Sequence, residues 1–208
     1  MTARVAIVDY GVGNLHSAQK AFEHLGCPAI ITSDAAVIDA SPAVVLPGQG
    51  AFGTCMANLA QAGLTETVRR AARSGRPFLG ICVGMQLLFE ESEESPGVPG
   101  LGVFQGRVVR FPRQSGLKVP HMGWNQLRIR RSVPALAQVR DGDYVYFVHS
   151  YHPLPRDSSV IATTTEYGVE FVSSVARGNV YAGVFHPEKS QRVGLSLLAG
   201  FTAMLEAA

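Results

Sequence analysis

Pro77-Phe78-Leu79-Gly80-Ile81-Cys82-Val83-Gly84-Met85-Gln86 is the stretch on which the fold turns. Pro77 to Ile81 is a short apolar run and reads as a buried strand, and residues 85–91 read as a helix. Between them Gly80-Ile81-Cys82-Val83-Gly84 has the form glycine-x-nucleophile-x-glycine, with Cys82 where a hydrolase carries serine. The glycines permit a tight, strained turn and close packing of strand on helix. Such a turn projects the sulfur at the carboxyl edge of a sheet. The helix N-terminus behind it favours negative charge, and free N–H groups there can meet an oxyanion. Free cysteine more often packs as a small buried hydrophobe. Cys27, beside Pro28, and Cys55, in a helical stretch, read that way.

Outward from this turn the first half alternates strand and helix. Residues 4–9 form an apolar run ending in a glycine turn. Asn14 is placed to cap a helix from Leu15 to Leu25, closed by Gly26 and followed by Pro28. Ala29 to Thr32 and Ala43 to Leu46 read as strands, the second ended by Pro47-Gly48. Leu64 to Arg73 reads as a helix, with Leu64, Val68 and Ala72 on one face and Gly75 as its stop. This rhythm indicates a parallel sheet covered on both faces.

Beyond Pro96 the texture is β-rich. Strands are expected over Arg107 to Phe111, Trp124 to Ile129, Tyr144 to Val148, Val160 to Thr165, Val169 to Ala176 and Val180 to Phe185. The last two are joined by Arg177-Gly178-Asn179, a hairpin signal. A final helix spans Gln191 to Glu206, with Val193, Leu197, Phe201 and Leu205 at i+4 spacing. With no repeat or linker in view, residues 1–208 read as one domain, with the β-rich half as an antiparallel extension of it.

Composition narrows the function. Charged residues are 16% and hydrophobic ones 47%, which excludes intrinsic disorder. Net charge is +2 with no basic stripe, which speaks against nucleic acid as a partner. The longest near-uncharged run, Pro77 to Phe89, is too short for a bilayer span, and residues 1–4 lead directly into a strand without a signal-peptide pattern. Three widely spaced cysteines without C-x-x-C fit neither a disulfide framework nor a thiolate zinc site, so a reducing, cytoplasmic setting is expected.

A cysteine nucleophile needs a general base, and the base needs an orienting group. Of six histidines, His186 in His186-Pro187-Glu188 stands out because it directly follows a strand, at the sheet edge where Cys82 is expected. Glu188 is placed to hold the imidazole tautomer. The order Cys, His, Glu differs from the nucleophile, acid, His order of α/β-hydrolases, which argues against an esterase. His16 and His24 fall on a helix as surface or boundary residues. His149 and His152 have a spacing compatible with a metal, but no carboxylate or further Cys/His stands nearby. Asp9-Tyr10-Gly11-Val12-Gly13-Asn14 is half a dinucleotide fingerprint, with His16 where the third glycine belongs. Pro47-Gly48-Gln49-Gly50 is either an ordinary βα turn or a loop that presents N–H groups to developing negative charge.

Gly80-Ile81-Cys82-Val83-Gly84-Met85-Gln86 and His186-Pro187-Glu188 together resemble the class I (triad) glutamine amidotransferases. Further segments sharpen this: Asp9 to Leu15, Leu46-Pro47-Gly48-Gln49-Gly50-Ala51-Phe52, His121-Met122-Gly123-Trp124-Asn125, Phe147-Val148-His149-Ser150-Tyr151 and His186 to Ser190. They resemble the glutaminase subunits of imidazole glycerol phosphate synthases of histidine biosynthesis, and Met85 stands where many other triad amidotransferases have His. Two positions depart from that pattern: Gln49 where Val is common, and Val184 where Gln often precedes the Phe.

The resemblance implies a flavodoxin-like α/β fold and hydrolysis of glutamine to glutamate and ammonia, without cofactor or metal. Cys82 would attack the carboxamide, His186 would protonate the leaving ammonia and Glu188 would orient His186. Val83 and the Gly48-Gln49-Gly50 loop would hold the oxyanion, while Gly50, Gln86, Ser150 and Tyr151 would hold the amino-acid end of glutamine. Gln86 alone reads equally as a helix-surface residue. The chain leaves no sequence for an ammonia-consuming domain, so the acceptor would be a separate chain, a (β/α)8-barrel cyclase in a heterodimer. Val12, Asn14, Trp124, Tyr146 and Lys189 are the expected interface residues. The peptide units around Gln49 would switch activity by rotating. Alternatives are a glutaminase serving another synthase, such as that of vitamin B6, and a non-catalytic flavodoxin-like subunit with a redox-sensitive Cys82.

Overall fold

The apolar runs of the first half are parallel strands β1 (Val5–Val8), β2 (Ala29–Thr32), β3 (Ala43–Gly48) and β4 (Phe78–Cys82). Helices α1 (Leu15–His24), α2 (Ala35–Ala40), α3 (Phe52–Gln61) and α4 (Thr65–Arg73) alternate with them. The computed structural model describes residues 4–112 and 117–205. Every residue of β1, β3 and β4 is buried, as strands covered on both faces require.

After β4 come α5 (Val83–Gln86), β5 (Glu91–Ser92), β6 (Gly106–Arg110), β7 (His121–Gln126), β8 (Arg128–Ile129), β9 (Tyr144–His149) and β10 (Tyr151–Pro155). β11 (Ile161–Glu166), β12 (Glu170–Arg177), β13 (Val180–Gly183) and α6 (Gln191–Ala203) follow. The main sheet has the order β2-β1-β3-β4-β13-β12-β11-β8. β13 is parallel to β4 and antiparallel to β12, so the hairpin at Gly178-Asn179 converts a parallel sheet into an antiparallel one. Two small sheets, β10-β6-β5 and β7-β9, stand over the carboxyl-edge region of the main sheet through the residues they send to the cleft described below. Among the described residues no helix is long and apolar enough to cross a membrane.

Several boundaries differ from the sequence reading, each for a local reason. β3 continues through Pro47 and Gly48, which pair with Ile81 and Cys82, because proline forfeits only its own donor and its carbonyl is taken by the Tyr10 hydroxyl. The helix after Cys82 stops at Gln86 rather than continuing to residue 91. Leu87, Leu88 and Phe89 are all buried, and the carbonyls of Leu87 and Leu88 accept from Leu101, Val103 and Phe104. The run from Trp124 to Ile129 is two strands: the chain leaves β9 and joins β11 across the buried Leu127. Asn14 occupies the N-cap position of α1, but its side chain makes no capping hydrogen bond. α2 has no counterpart in the sequence reading. α6 ends at Ala203, and residue 206 lies outside the described residues.

Candidate active site

Cys82 closes β4 and Val83 opens α5. Cys82 has φ 55° and ψ −116°, a left-handed φ that a non-glycine residue adopts at a cost of about 1–3 kcal/mol. Three glycines make room for this turn by close approach. A Cβ on Gly84 would fall 1.9 Å from the carbonyl oxygen of Leu46, and one on Gly48 would fall 2.4 Å from the Gly84 nitrogen. A Cβ on Gly80 would meet the Ala182 side chain at 2.9 Å and the Met85 Cα at 3.1 Å. The glycines thus press α5 onto β3 and β4, and the strained cysteine is held from both sides.

The neighbouring strand delivers the histidine. Gly183 of β13 lies opposite Ile81 of β4, and three residues later His186 emerges beside the turn. Its Nδ1–H donates to Oε1 of Glu188 at 2.8 Å, with the two side chains 6% and 3% exposed. The backbone is clamped as well. The His186 N–H donates to the Tyr146 carbonyl at 3.0 Å, and its own carbonyl accepts from Ser190 Oγ at 2.6 Å. Ser190 Oγ in turn accepts from the Tyr146 N–H, tying β9 to this turn. Nε2 is buried and has no hydrogen-bond partner among the described residues. Burial works against a proton on this ring, but the adjoining Cys82 sulfur and the Glu188 carboxylate outweigh it, and the imidazole pKa is pushed up to about 10.

Cys82 and His186 open onto one cleft of about 210 Å3. Its wall also carries Val83, Gln49, Gly50, Gln86, Ser150, Tyr151 and Lys189. Glu188 lies behind His186. Gly48 is not on the wall: it ends β3 opposite Cys82 and abuts Val83 and Gly84. Gln86 is buried rather than on a helix surface; its Nε2 donates to the Tyr151 carbonyl at 3.4 Å and its Oε1 is without a partner among the described residues. Val184, the other departure, is buried and donates its N–H to the Ser173 carbonyl.

Glu94 also lines the cleft, and its Oε2 accepts from the Phe52 N–H at the start of α3 at 2.7 Å. Sequence reasoning missed it because it ends the acidic run Glu90-Glu91-Ser92-Glu93-Glu94, which looks like a solvated face. His149, another wall residue, belongs to a buried chain of rings. Its Nδ1–H donates to the Tyr151 carbonyl at 2.9 Å, which makes Nε2 the acceptor from His121 Nδ1–H at 3.1 Å. Asn125 Nδ2 then donates to His121 Nε2 at 3.3 Å. Burial pushes His121 down to about 4 and His149 down to about 3. His152 is buried too, with Nδ1 at 3.3 Å from the Pro153 carbonyl, and burial lowers it. His16 and His24 are exposed on α1.

Beside the cleft, β7 and β9 pair Trp124 with Tyr146 and place Met122, Trp124 and Tyr144 on the outward face, 63%, 46% and 52% exposed. Trp124 and Tyr146 meet edge-on at 6.0 Å, and Lys189 Nζ sits 5.9 Å from the Tyr146 ring centre. Trp124, Tyr146 and Lys189 are therefore neighbours. Val12 is half-buried against the core, and Asn14, also half-buried, precedes α1.

A strained cysteine at a strand-to-helix turn, a histidine-glutamate pair just past the end of the neighbouring strand and an eight-stranded α/β sheet define a class, and the chain belongs to it: the profile of the family "Glutamine amidotransferase class-I" matches residues 6–203. Within that class, the chain is similar to imidazole glycerol phosphate synthase subunits HisH. It is 55% identical over 206 residues to that of Geobacter sulfurreducens, covering 97% of this chain and 99% of the relative. It is 48% identical over 204 residues to that of Aquifex aeolicus, covering 98% of each. The fold is shared with a glutamine amidotransferase of known crystal structure, at TM-score 0.74 and 20% identity over 98% of this chain and 100% of that one. It is shared also with PurLQS from Thermotoga maritima, at TM-score 0.73 and 18% identity over 100% of this chain and 99% of that one.

Proposed function

We propose that this chain is the glutaminase subunit of an imidazole glycerol phosphate synthase, hydrolysing glutamine to glutamate and passing ammonia to a cyclase subunit. The observation that carries the reading is the shared cleft of Cys82 and His186, with His186 Nδ1 committed to Glu188. Cys82 passes its thiol proton to His186 Nε2, and its Sγ attacks the carboxamide carbon of glutamine. The oxyanion is met by the Val83 N–H and by an N–H of the Gly48–Gly50 loop. His186, whose Nδ1–H is held by Glu188, gives the proton on Nε2 to the leaving amine, and ammonia departs from a γ-glutamyl thioester. Water then loses a proton to the same nitrogen and attacks the thioester, which releases glutamate and restores the thiol. Gln86, Gly50, Ser150 and Tyr151 hold the amino-acid end, and Glu94 adds the negative charge that an α-ammonium group needs.

The partner is a (β/α)8-barrel cyclase bound as a heterodimer over the mouth of the cleft. The outward apolar face of Met122, Trp124 and Tyr144, together with Tyr146 and Lys189, supports this position. Ammonia must not escape to water, so the cleft and the interface adjoin. The test is the Cys82→Ala complex: synthesis from glutamine is lost while synthesis from added ammonium persists. Retained glutamine-dependent turnover removes Cys82 from the mechanism.

A further inference from the structure

The Pro47–Gly50 segment is held from behind by two side chains that do not line the cleft. Tyr10, just beyond β1, donates its hydroxyl to the Pro47 carbonyl at 2.6 Å. Cys55, in α3, donates its thiol to the Gln49 carbonyl at 3.3 Å. Both side chains are closed to solvent, Tyr10 at 4% and Cys55 at 0% exposure. They also lie against one another, and burial together with this contact raises the Tyr10 hydroxyl well above its ordinary range. Cys55 is thus more than the small hydrophobe that its sequence context indicated.

In a trans peptide the carbonyl and the next N–H point in opposite directions. Drawing the Gln49 carbonyl back to α3 therefore turns the Gly50 N–H the other way, and Gly50 forms part of the cleft wall. The Pro47 and Gln49 carbonyls belong to the peptide units on either side of Gly48–Gln49. A peptide unit rotates about its two flanking single bonds, and with both neighbours held that motion is confined to the one unit between them.

We propose that Tyr10 and Cys55 are positioning residues for the oxyanion loop, fixing the Pro47–Gly48 and Gln49–Gly50 peptides so that the Gly50 N–H stays aimed at the cleft and any turning is confined to the Gly48–Gln49 peptide between them. This rests on the glutaminase reading above and adds the two groups that hold its donor loop in register. Neither group touches substrate. Their effect falls on the transition state, because the oxyanion exists only there, whereas ground-state glutamine is held by its amino-acid end.

The test uses the chain assembled with its cyclase subunit. Complete loss of one oxyanion donor costs about 100- to 1000-fold in rate, and a donor merely loosened loses less. Cys55→Ala and Tyr10→Phe should each lower kcat for glutamate release about 10-fold with the glutamine KM nearly unchanged, and ammonium-dependent synthesis should stay at the wild-type rate. Cys55→Ser, which keeps a donor, should restore kcat, whereas Cys55→Val, which keeps bulk without a donor, should not. Unchanged kcat in Cys55→Ala and Tyr10→Phe overturns the proposal, as does rescue by Val but not Ser. If the wild-type complex itself releases no glutamate, the glutaminase reading falls and takes the proposal with it. A wild-type complex that is active beside unaffected variants sinks the tether alone.

Discussion

His186 donates from Nδ1 to Oε1 of Glu188 at 2.8 Å, and the two side chains are almost wholly closed to water. The bond fixes which ring nitrogen faces the cleft. Glu188→Gln replaces one acceptor oxygen by an N–H donor and frees the ring to adopt the other tautomer. In comparable triads, loss of the orienting acid costs about 10^4-fold and loss of nucleophile or base about 10^6-fold in kcat. Glutamate release should therefore fall less in Glu188→Gln than in Cys82→Ala or His186→Ala. Equal losses in all three would give Glu188 a role beyond orientation.

The glycine frame sets a second expectation. Gly84→Ala places a Cβ 1.9 Å from the Leu46 carbonyl oxygen, backbone against backbone, so the elbow must shift. It should abolish glutamine turnover and lower thermal stability sharply. Gly26→Ala offers the control: φ is +71° but nothing lies within 4 Å of the added atom, so the cost is about 1–2 kcal/mol of backbone strain alone. Circular dichroism melts and glutamate release distinguish the two.

Acid should destabilise the fold through its buried rings. His121 and His149 titrate at about 4 and about 3 in the folded chain, against about 6.5 when unfolded. Their neutral forms contribute stability above pH 6.5 that is lost as pH falls toward 4 and below, because the unfolded state binds the extra protons. His186 has the opposite sign. Its raised pKa adds stability that is fully present below about pH 6.5 and fades as pH climbs through about 10, so it does not alter the acid slope. Melting temperatures from pH 7 to pH 4.5 should drop steadily, and His149→Gln should flatten the slope. An identical slope in that variant would place the acid sensitivity elsewhere.

Partner binding should read out on the outward face of β7 and β9. Met122→Glu or Trp124→Ala should weaken association with the cyclase subunit while leaving the melting temperature within about 2 °C, since both side chains are largely exposed. Lys189→Ala should reduce coupling of the two activities. Calorimetric titration that shows wild-type affinity for both Met122→Glu and Trp124→Ala would move the interface off this sheet.

The isolated chain should be a poor glutaminase that the cyclase and its bound nucleotide switch on. Rotation of the Gly48–Gln49 peptide, exchanging a carbonyl for an N–H at the oxyanion position, suffices for about 100- to 1000-fold. Glutamate release is compared for the chain alone, with cyclase, and with cyclase plus nucleotide. Equal rates would dispose of the switch.

The sequence carried much of this because steric demands leave local marks. Gly80 and Gly84 are legible since no other residue fits, and the apolar runs of β1, β3 and β4 are legible since both faces are buried. Glu94 was hidden by its acidic neighbours, and the length of α5 by the fact that residues 86–89 are buried all round, which erases any helical face. His149 is set by a contact with His121, twenty-eight positions away, which no local spacing encodes. Asn14 has the composition of a cap without the bond, because its backbone at φ −90° and ψ 64° does not have the extended cap geometry.

The hairpin that inserts β13 between β4 and β12 has a consequence for synthesis. Cys82 is made in the first half of the chain and His186 near its far end, and they meet only when β13 pairs with β4. A nascent chain that has not yet exposed residues 180–186 to pairing with β4 therefore holds Cys82 without the histidine proposed as its base. Under the proposed mechanism unfinished chains should be inert toward glutamine, and competence should arrive with the pairing of β13 and β4.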